Sequence, residues 1–182
     1  MGKVYVFLAD GFEEIEGLTV VDILRRAGID TVMASIGTKR EVKGSHGIVI
    51  GTDCIFDEVD ADAADMLVLP GGMPGTRYLA EHKGLAELLL KADREGRKIA
   101  AICAAPSVLG GLGLLKGKRA ACYPGFEEKL TGAEVTFDPV AVDGNVTTSR
   151  GMGTAIPFAL SLVEQLAGEE KADELGRGII WK

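Results

Sequence analysis

Three short apolar runs in this chain each end abruptly in small residues and lead into a stretch with helical spacing. Val4 to Ala9 closes on Asp10-Gly11, Met66 to Leu69 on Pro70-Gly71-Gly72, and Lys98 to Ile102 on Cys103-Ala104-Ala105. Apolar runs without polar alternation suit strands buried on both faces, as in parallel sheets. Between them the spacing predicts helices. Glu14 to Ala27 carries Val20, Leu24 and Ala27 on one stripe, Arg25 and Arg26 in its last turn, and Gly28 as a stop. Gly84 to Glu95 carries Leu85, Leu88 and Leu89, with Gly96 after it; Ala105 to Leu112 and Thr154 to Leu166 follow, the last with Pro157 in its first turn. Further strands are expected at Thr31 to Ile36 and Arg119 to Cys122. Hairpins are expected from Lys39 to Val42 with Gly47 to Ile50, and from Val135 to Val142 with Asn145 to Thr148 across Asp143-Gly144. Alternating strands and helices imply an α/β fold, a mostly parallel sheet covered by helices on both faces. No linker, repeat or long charge run divides residues 1–182, so one domain is expected.

Charge and composition narrow the function classes. The chain has 20 basic and 27 acidic residues, a net charge of −7, and its basic residues fall in short groups near turns. That pattern lacks the basic stripe of a nucleic-acid partner and repels phosphate at long range. No apolar run reaches a membrane span, and the N-terminus becomes charged too quickly for a signal peptide, so no membrane partner is expected. Three cysteines, Cys54, Cys103 and Cys122, offer no CxxC pair, which argues against a zinc site or a disulfide framework and for a reducing cytoplasm. Neither a metal nor a cofactor is expected. The 25 glycines are about twice ordinary usage and have no collagen-like period.

In folds of this class ligands bind beyond the carboxyl ends of the strands. Three segments meet there: Asp10 to Glu16, Pro70-Gly71-Gly72, and Ile102 to Pro106. Cys103 lies between a strand and a helix among small residues, the setting of a nucleophile elbow without the G-x-S-x-G pattern. A helix N-terminus should stabilise its thiolate and lower its pKa. Gly71 and Gly72 can turn N–H groups toward an oxyanion because no side chain blocks approach. Glu13 and Glu16 are on one helix face, so at least one can point to the strand edge, where burial beside the sulfur would keep it protonated. Cys54 is expected to be structural, and Cys122 adjoins the pocket edge as a possible second oxidisable thiol. His82 lies in a polar stretch and is expected to be exposed.

The segments Ala9 to Glu16, Val21 to Gly28, Leu69 to Gly72, Ala100 to Pro106 and Thr148 to Thr154 together resemble the ThiJ/PfpI superfamily, in particular its Parkinson-disease-protein and YajL-like branch. The resemblance runs along essentially the whole chain. It implies a flavodoxin-like three-layer sandwich and a homodimer. It also implies an oxidation-prone nucleophile at Cys103, a protonated glutamate at Glu16, and pocket N–H groups at Gly71, Gly72 and Ala104. His46 falls where that branch has an arginine near the dimer interface, and Arg26 is a second candidate contributor there. The activities implied are cofactor-independent glyoxalase and deglycase chemistry on methylglyoxal-type aldehydes or glycated substrates, with oxidative-stress sensing and chaperone roles as the alternative. One position departs from the pattern. Many members carry a histidine before a proline after the next strand, where this chain has Tyr123-Pro124. A phenol donates a hydrogen bond but is a poor base at neutral pH, which weighs against glyoxalase chemistry that needs an imidazole to move a proton between substrate carbons, and against a PfpI-like peptidase or amidase that needs an adjacent base.

Overall fold

A computed structural model describes residues 3–181. The first half of the chain runs β1 (Lys3–Leu8), α1 (Glu14–Arg26), β2 (Asp30–Ser35), β3 (Glu41–Lys43), β4 (Val49–Gly51), β5 (Cys54–Ile55), β6 (Ala64–Leu69), α2 (Gly75–Glu81) and α3 (Lys83–Arg94). The second half runs β7 (Lys98–Ile102), α4 (Pro106–Gly111), β8 (Arg119–Ala120), β9 (Glu134–Val135), β10 (Val140–Asp143), β11 (Val146–Ser149), α5 (Ala155–Ala167) and α6 (Glu169–Gly178).

Seven strands form one sheet in the order β10-β11-β7-β6-β1-β2-β5. The neighbours pair in parallel except β10, which lies antiparallel to β11. The chain moves outward from β1 to β2 and then crosses to β6 on the other side of β1. The strand order therefore reverses at β1 and β6, whose carboxyl ends frame a crevice.

Residues alternate between the two faces of the sheet. Val4, Val6, Leu8, Met66, Val68, Ala100 and Ile102 pack against Val20, Leu24, Phe158 and Leu162 of α1 and α5. Tyr5, Phe7, Leu67, Leu69, Ile99 and Ala101 pack instead against Leu79, Leu85, Leu89 and Leu109 of α2, α3 and α4. Both faces are covered, so the strands read as continuous apolar runs. The architecture is the flavodoxin-like three-layer sandwich implied by the resemblance.

Several elements depart from the sequence pattern. The arm expected from Val135 to Val142 is divided: Glu134–Val135 pairs with β8, an irregular stretch ending in Pro139 intervenes, and β10 begins at Val140. β8 stops at Ala120 because the Ala121 N–H donates to the Thr148 hydroxyl (2.8 Å) instead of to a strand. The first hairpin is shifted to Glu41–Lys43 and Val49–Gly51. Three elements are additional, the short helix α2 among them. β5 is too short to show periodicity and is held at the sheet edge by pairing with Ala34 and Ser35. α6 buries only Ala172 and Gly176, which leaves almost no apolar stripe to read.

Of the Gly110-Gly111 pair, only Gly110 has a packing reason. A side chain at Gly110 would run into the backbone carbonyl of Lys129, whereas one at Gly111 would meet open space. Gly110→Ala should therefore destabilise the fold by roughly 1–3 kcal/mol through overpacking. Gly111→Ala, in the same short helix, should be neutral or stabilising by up to about 1 kcal/mol. Urea denaturation of both variants checks the contrast; equal effects would contradict it.

Candidate active site

Cys103 follows the last residue of β7 and precedes the turn into α4. Its backbone has φ 65°, a left-handed conformation that non-glycine residues rarely adopt. Two bonds hold it there: the Cys103 N–H donates to the Ser149 carbonyl at the end of β11 (3.0 Å), and the Cys103 carbonyl accepts from Tyr123 N–H (2.8 Å). With its own peptide groups tied to flanking segments, the side chain projects from the strand edge. The sulfur accepts hydrogen bonds from the Gly72 and Ala104 N–H groups.

Glu16 approaches from the first turn of α1 and is 1% exposed. A hydrogen bond joins its carboxyl to the Cys103 thiol. The Gly71 N–H donates to Glu16 Oε2 (2.9 Å), so this donor orients the carboxyl and does not face the sulfur. The chain can approach so closely only because position 71 has no side chain. A Cβ there would sit 2.6 Å from Cys103 Cβ, 2.7 Å from Glu16 Oε2 and 3.0 Å from the sulfur. A further bond, from Glu13 N–H to the Gly71 carbonyl (2.9 Å), locks this loop to the start of α1.

Burial dominates the electrostatics. Desolvation pushes Glu16 up to about 7, against the opposing hydrogen bonds from Cys103 and Gly71. Desolvation, followed by the charge of Glu16, pushes the Cys103 thiol up to about 12, and the Gly72 and Ala104 N–H groups offset only part of this. The expected lowering of the thiol pKa by the helix terminus is therefore overturned. Two negative charges in one dry site repel, so the pair holds at most one near neutral pH.

Of the two glutamates open to the site, Glu16 turns to the sulfur and Glu13 turns away. Glu13 stands at the N-cap position of α1 without a side-chain capping bond and lies with Ser45 and His46, whose Nδ1 is 3.4 Å from Glu13 Oε2. The neighbouring Glu14 is buried and accepts from the His46 N–H (2.8 Å) and the Ile48 N–H (3.4 Å). Glu13, Glu14 and His46 bring their donor atoms within 4.8 Å of one another. These atoms engage each other and the loop backbone, and so clasp residues 44–48 to α1.

Tyr123 is half exposed, and its ring would lie 3.2 Å from a Cβ at Gly151, itself beside Glu16. It therefore stands at the rim. Arg26 pairs with Asp22 (2.9 Å) in the last turn of α1, roughly 18 Å along the helix from Glu14 and the His46 clasp. Within one chain Arg26 and His46 do not meet.

Cys122 is buried in the core beneath α4, and its thiol is pushed up to about 11, first by desolvation. Cys54 is half buried in β5 with its thiol directed at the Met33 carbonyl (3.9 Å). His82 is not the exposed residue its polar neighbours suggest. Its Nδ1 accepts from Leu85 N–H (3.0 Å) to cap α3, and its ring lies against Phe56.

Residues 2–165 match the DJ-1/PfpI family. The chain is 43% identical over 175 residues to protein DJ-1 homolog A of Arabidopsis thaliana, covering 94% of this chain but 45% of that protein. A second Arabidopsis relative is covered to 42%, so the chain spans less than half the length of these two. It is 38% identical to a glutathione-independent glyoxalase of Caenorhabditis elegans (90% of this chain, 87% of that protein). It is 33% identical to a deglycase of Pyrococcus abyssi (90% and 99%). Oxidised DJ-1 of Toxoplasma gondii has the same fold, with a TM-score of 0.95 at 35% identity over 99% of this chain and 98% of that one.

Burial and then the charge of Glu16 hold the thiol up, so Glu16→Gln should shift the alkylation midpoint of Cys103 to lower pH than in the wild type. The same variant tests linkage. A carboxyl whose pKa rises from 4.5 unfolded to about 7 folded favours folding while protonated. That contribution is whole below about pH 4.5 and is lost as pH rises to about 7. Across this window the melting temperature of Glu16→Gln should climb relative to wild type. A constant difference between the two would contradict the assignment.

Proposed function

The chain belongs to the DJ-1/PfpI family, and on that basis we propose that it is a cysteine-dependent, cofactor-independent enzyme. Its substrates are methylglyoxal-type α-oxoaldehydes or the glycated thiols and amines they form. The observation that carries this reading is the Cys103 sulfur held between the Glu16 carboxyl and the Gly72 and Ala104 N–H groups. The names of the nematode and archaeal relatives support it.

With methylglyoxal the sequence of bonds is as follows. The Cys103 sulfur adds to the aldehyde carbon while its proton passes to Glu16. The carbonyl electron pair moves onto oxygen, which the Gly72 and Ala104 N–H groups stabilise and which then takes the proton back, giving a hemithioacetal. The Glu16 carboxylate removes the proton from that carbon, the resulting enediolate oxygen takes up the proton of the first carbon's hydroxyl, and Glu16 returns its own proton to the second carbon. The first carbon is oxidised to a thioester and the second reduced to an alcohol, so no outside oxidant enters. Water releases lactate and the free thiol. A carboxyl with a pKa of about 7 suits both halves of the transfer, since it gives and takes a proton near neutral pH. Tyr123 at the rim supplies a hydrogen-bond donor to the second carbonyl.

A second reading, an oxidation sensor, uses the same atoms. Peroxide would convert the Cys103 thiolate to a sulfenate and then a sulfinate, held by Glu16 and the flanking N–H groups. The oxidised state named for the Toxoplasma relative favours keeping it. Either role suits a homodimer in a reducing cytoplasm. Ile15, Ile48 and Met152 are each about half exposed. Ile15 and Ile48 adjoin Glu14, and Met152 follows Gly151, so they make an apolar surface beside the site.

Metal-free protein should convert methylglyoxal to lactate. Cys103→Ala should abolish turnover, and Glu16→Gln should reduce it by about 10²–10⁴-fold. Stoichiometric addition of two oxygens to Cys103 by mild peroxide, with no lactate from intact protein, would instead establish the sensor.

A further inference from the structure

The turn from β11 into α5, residues 149–154, gives the reaction no group of its own, yet it borders Cys103, Glu16 and Tyr123 at once. The Ser149 carbonyl accepts from the Cys103 N–H (3.0 Å). Gly151 is buried between the other two: a Cβ there would sit 3.2 Å from the Tyr123 ring and 4.0 Å from Glu16 Oε1.

One hydroxyl holds this turn together. Thr154 Oγ1 accepts from the Arg150 N–H (3.2 Å) and the Gly151 N–H (3.1 Å), and it lies 2.7 Å from Ser149 Oγ. Counting protons fixes the direction of the last bond. Ser149 Oγ has one other partner among the described residues, the Pro139 carbonyl (2.7 Å), which has no proton to give. Ser149 therefore donates to Pro139 and accepts from Thr154. The Gly151 carbonyl, 2.9 Å from Thr154 Oγ1, is served by the Thr154 N–H (2.8 Å). Both lone pairs and the proton of the Thr154 hydroxyl are thus engaged inside the turn.

On the reading of Cys103 and Glu16 as the reacting pair, we propose that Thr154 is a positioning residue for the proton transfer between them. Its hydroxyl fixes the backbone of residues 149–151, and that backbone does two things. At Ser149 it holds Cys103 in a left-handed conformation that a non-glycine residue keeps only where its neighbours over-determine it. At Gly151 it closes the side of Glu16 next to Tyr123 and keeps water from a carboxyl that is 1% exposed. Burial is the first cause of the raised pKa of Glu16, so a looser turn would return the carboxyl toward its ordinary range. A carboxyl that stays ionised near neutral pH is a poorer acid for the second half of the transfer.

The test pairs Thr154→Val, which keeps the shape and removes the hydroxyl, with Thr154→Ser, which retains it. Glu16 is followed in the full chain by the carbon chemical shift of its isotope-labelled carboxyl, identified through Glu16→Gln, a readout independent of turnover. Thr154→Val should move the Glu16 midpoint from about 7 to lower pH, and Thr154→Ser should leave it in place. In methylglyoxal turnover Thr154→Val should lower kcat by about 10–100-fold with KM unchanged. Asn145→Ala is the control for mere destabilisation. It removes two hydrogen bonds, to Asp93 and Arg97, at the opposite end of β11 and should change neither readout. Should Thr154→Val fail to fold, Ser149→Ala cuts the same chain of hydroxyls and should move the midpoint in the same direction. An unmoved midpoint, a loss shared by Thr154→Ser, an equal shift in Asn145→Ala, or failure of both hydroxyl variants to fold would overturn the proposal. Absence of lactate from the wild type would overturn the enzyme reading alone, and the titration would still decide the role of Thr154.

Discussion

The site depends on a left-handed backbone at Cys103. A side chain at the end of a parallel strand would ordinarily continue the alternation between faces and be buried in one layer. The positive φ turns the sulfur out of that alternation and places it over the crevice at the strand ends. Such a conformation persists only where its surroundings over-determine it. Here Ser149 and Tyr123 hold the Cys103 peptide from two sides, and Ser149 is itself fixed in β11 of the packed sheet. The seven-stranded core can be regarded as the mount for one strained residue.

Charge is the second organising constraint. Burial raises both members of the Cys103–Glu16 pair, so the site is built for a shared proton more than for a permanent thiolate. The N–H groups of Gly72 and Ala104 do not overcome desolvation in the resting state. They gain value when negative charge develops on sulfur or on a substrate oxygen, which is what a preorganised donor contributes to a reaction.

The layered fold and the position of Cys103 were legible in the sequence because both are local patterns: an apolar run, a turn of small residues, a helix start. What failed to show depends on neighbours distant in the chain. Glu13 and Glu16 share a helix face, and only the seating of residues 44–48 on α1 decides which turns inward. The thiol pKa followed solvent exclusion, which the helix terminus could not report. His82 looks exposed until Phe56, from another part of the chain, is laid against it. β5 and α6 escaped for a different reason, since neither carries enough buried residues to impose a period.

The loops that follow β1 and β6 meet backbone to backbone. A Cβ at Gly72 would strike the peptides of Gly11 to Glu13, and one at Gly75 would lie 2.7 Å from the Phe12 nitrogen and 2.8 Å from the Gly11 carbonyl carbon. Two surfaces in such contact offer evolution no side chain to trim in compensation. A substitution on either loop can be accommodated only by moving the other loop, and with it the start of α1 and Glu16. The spacing between proton carrier and sulfur is therefore protected by epistasis, and mutational drift in this neighbourhood must proceed around these glycines.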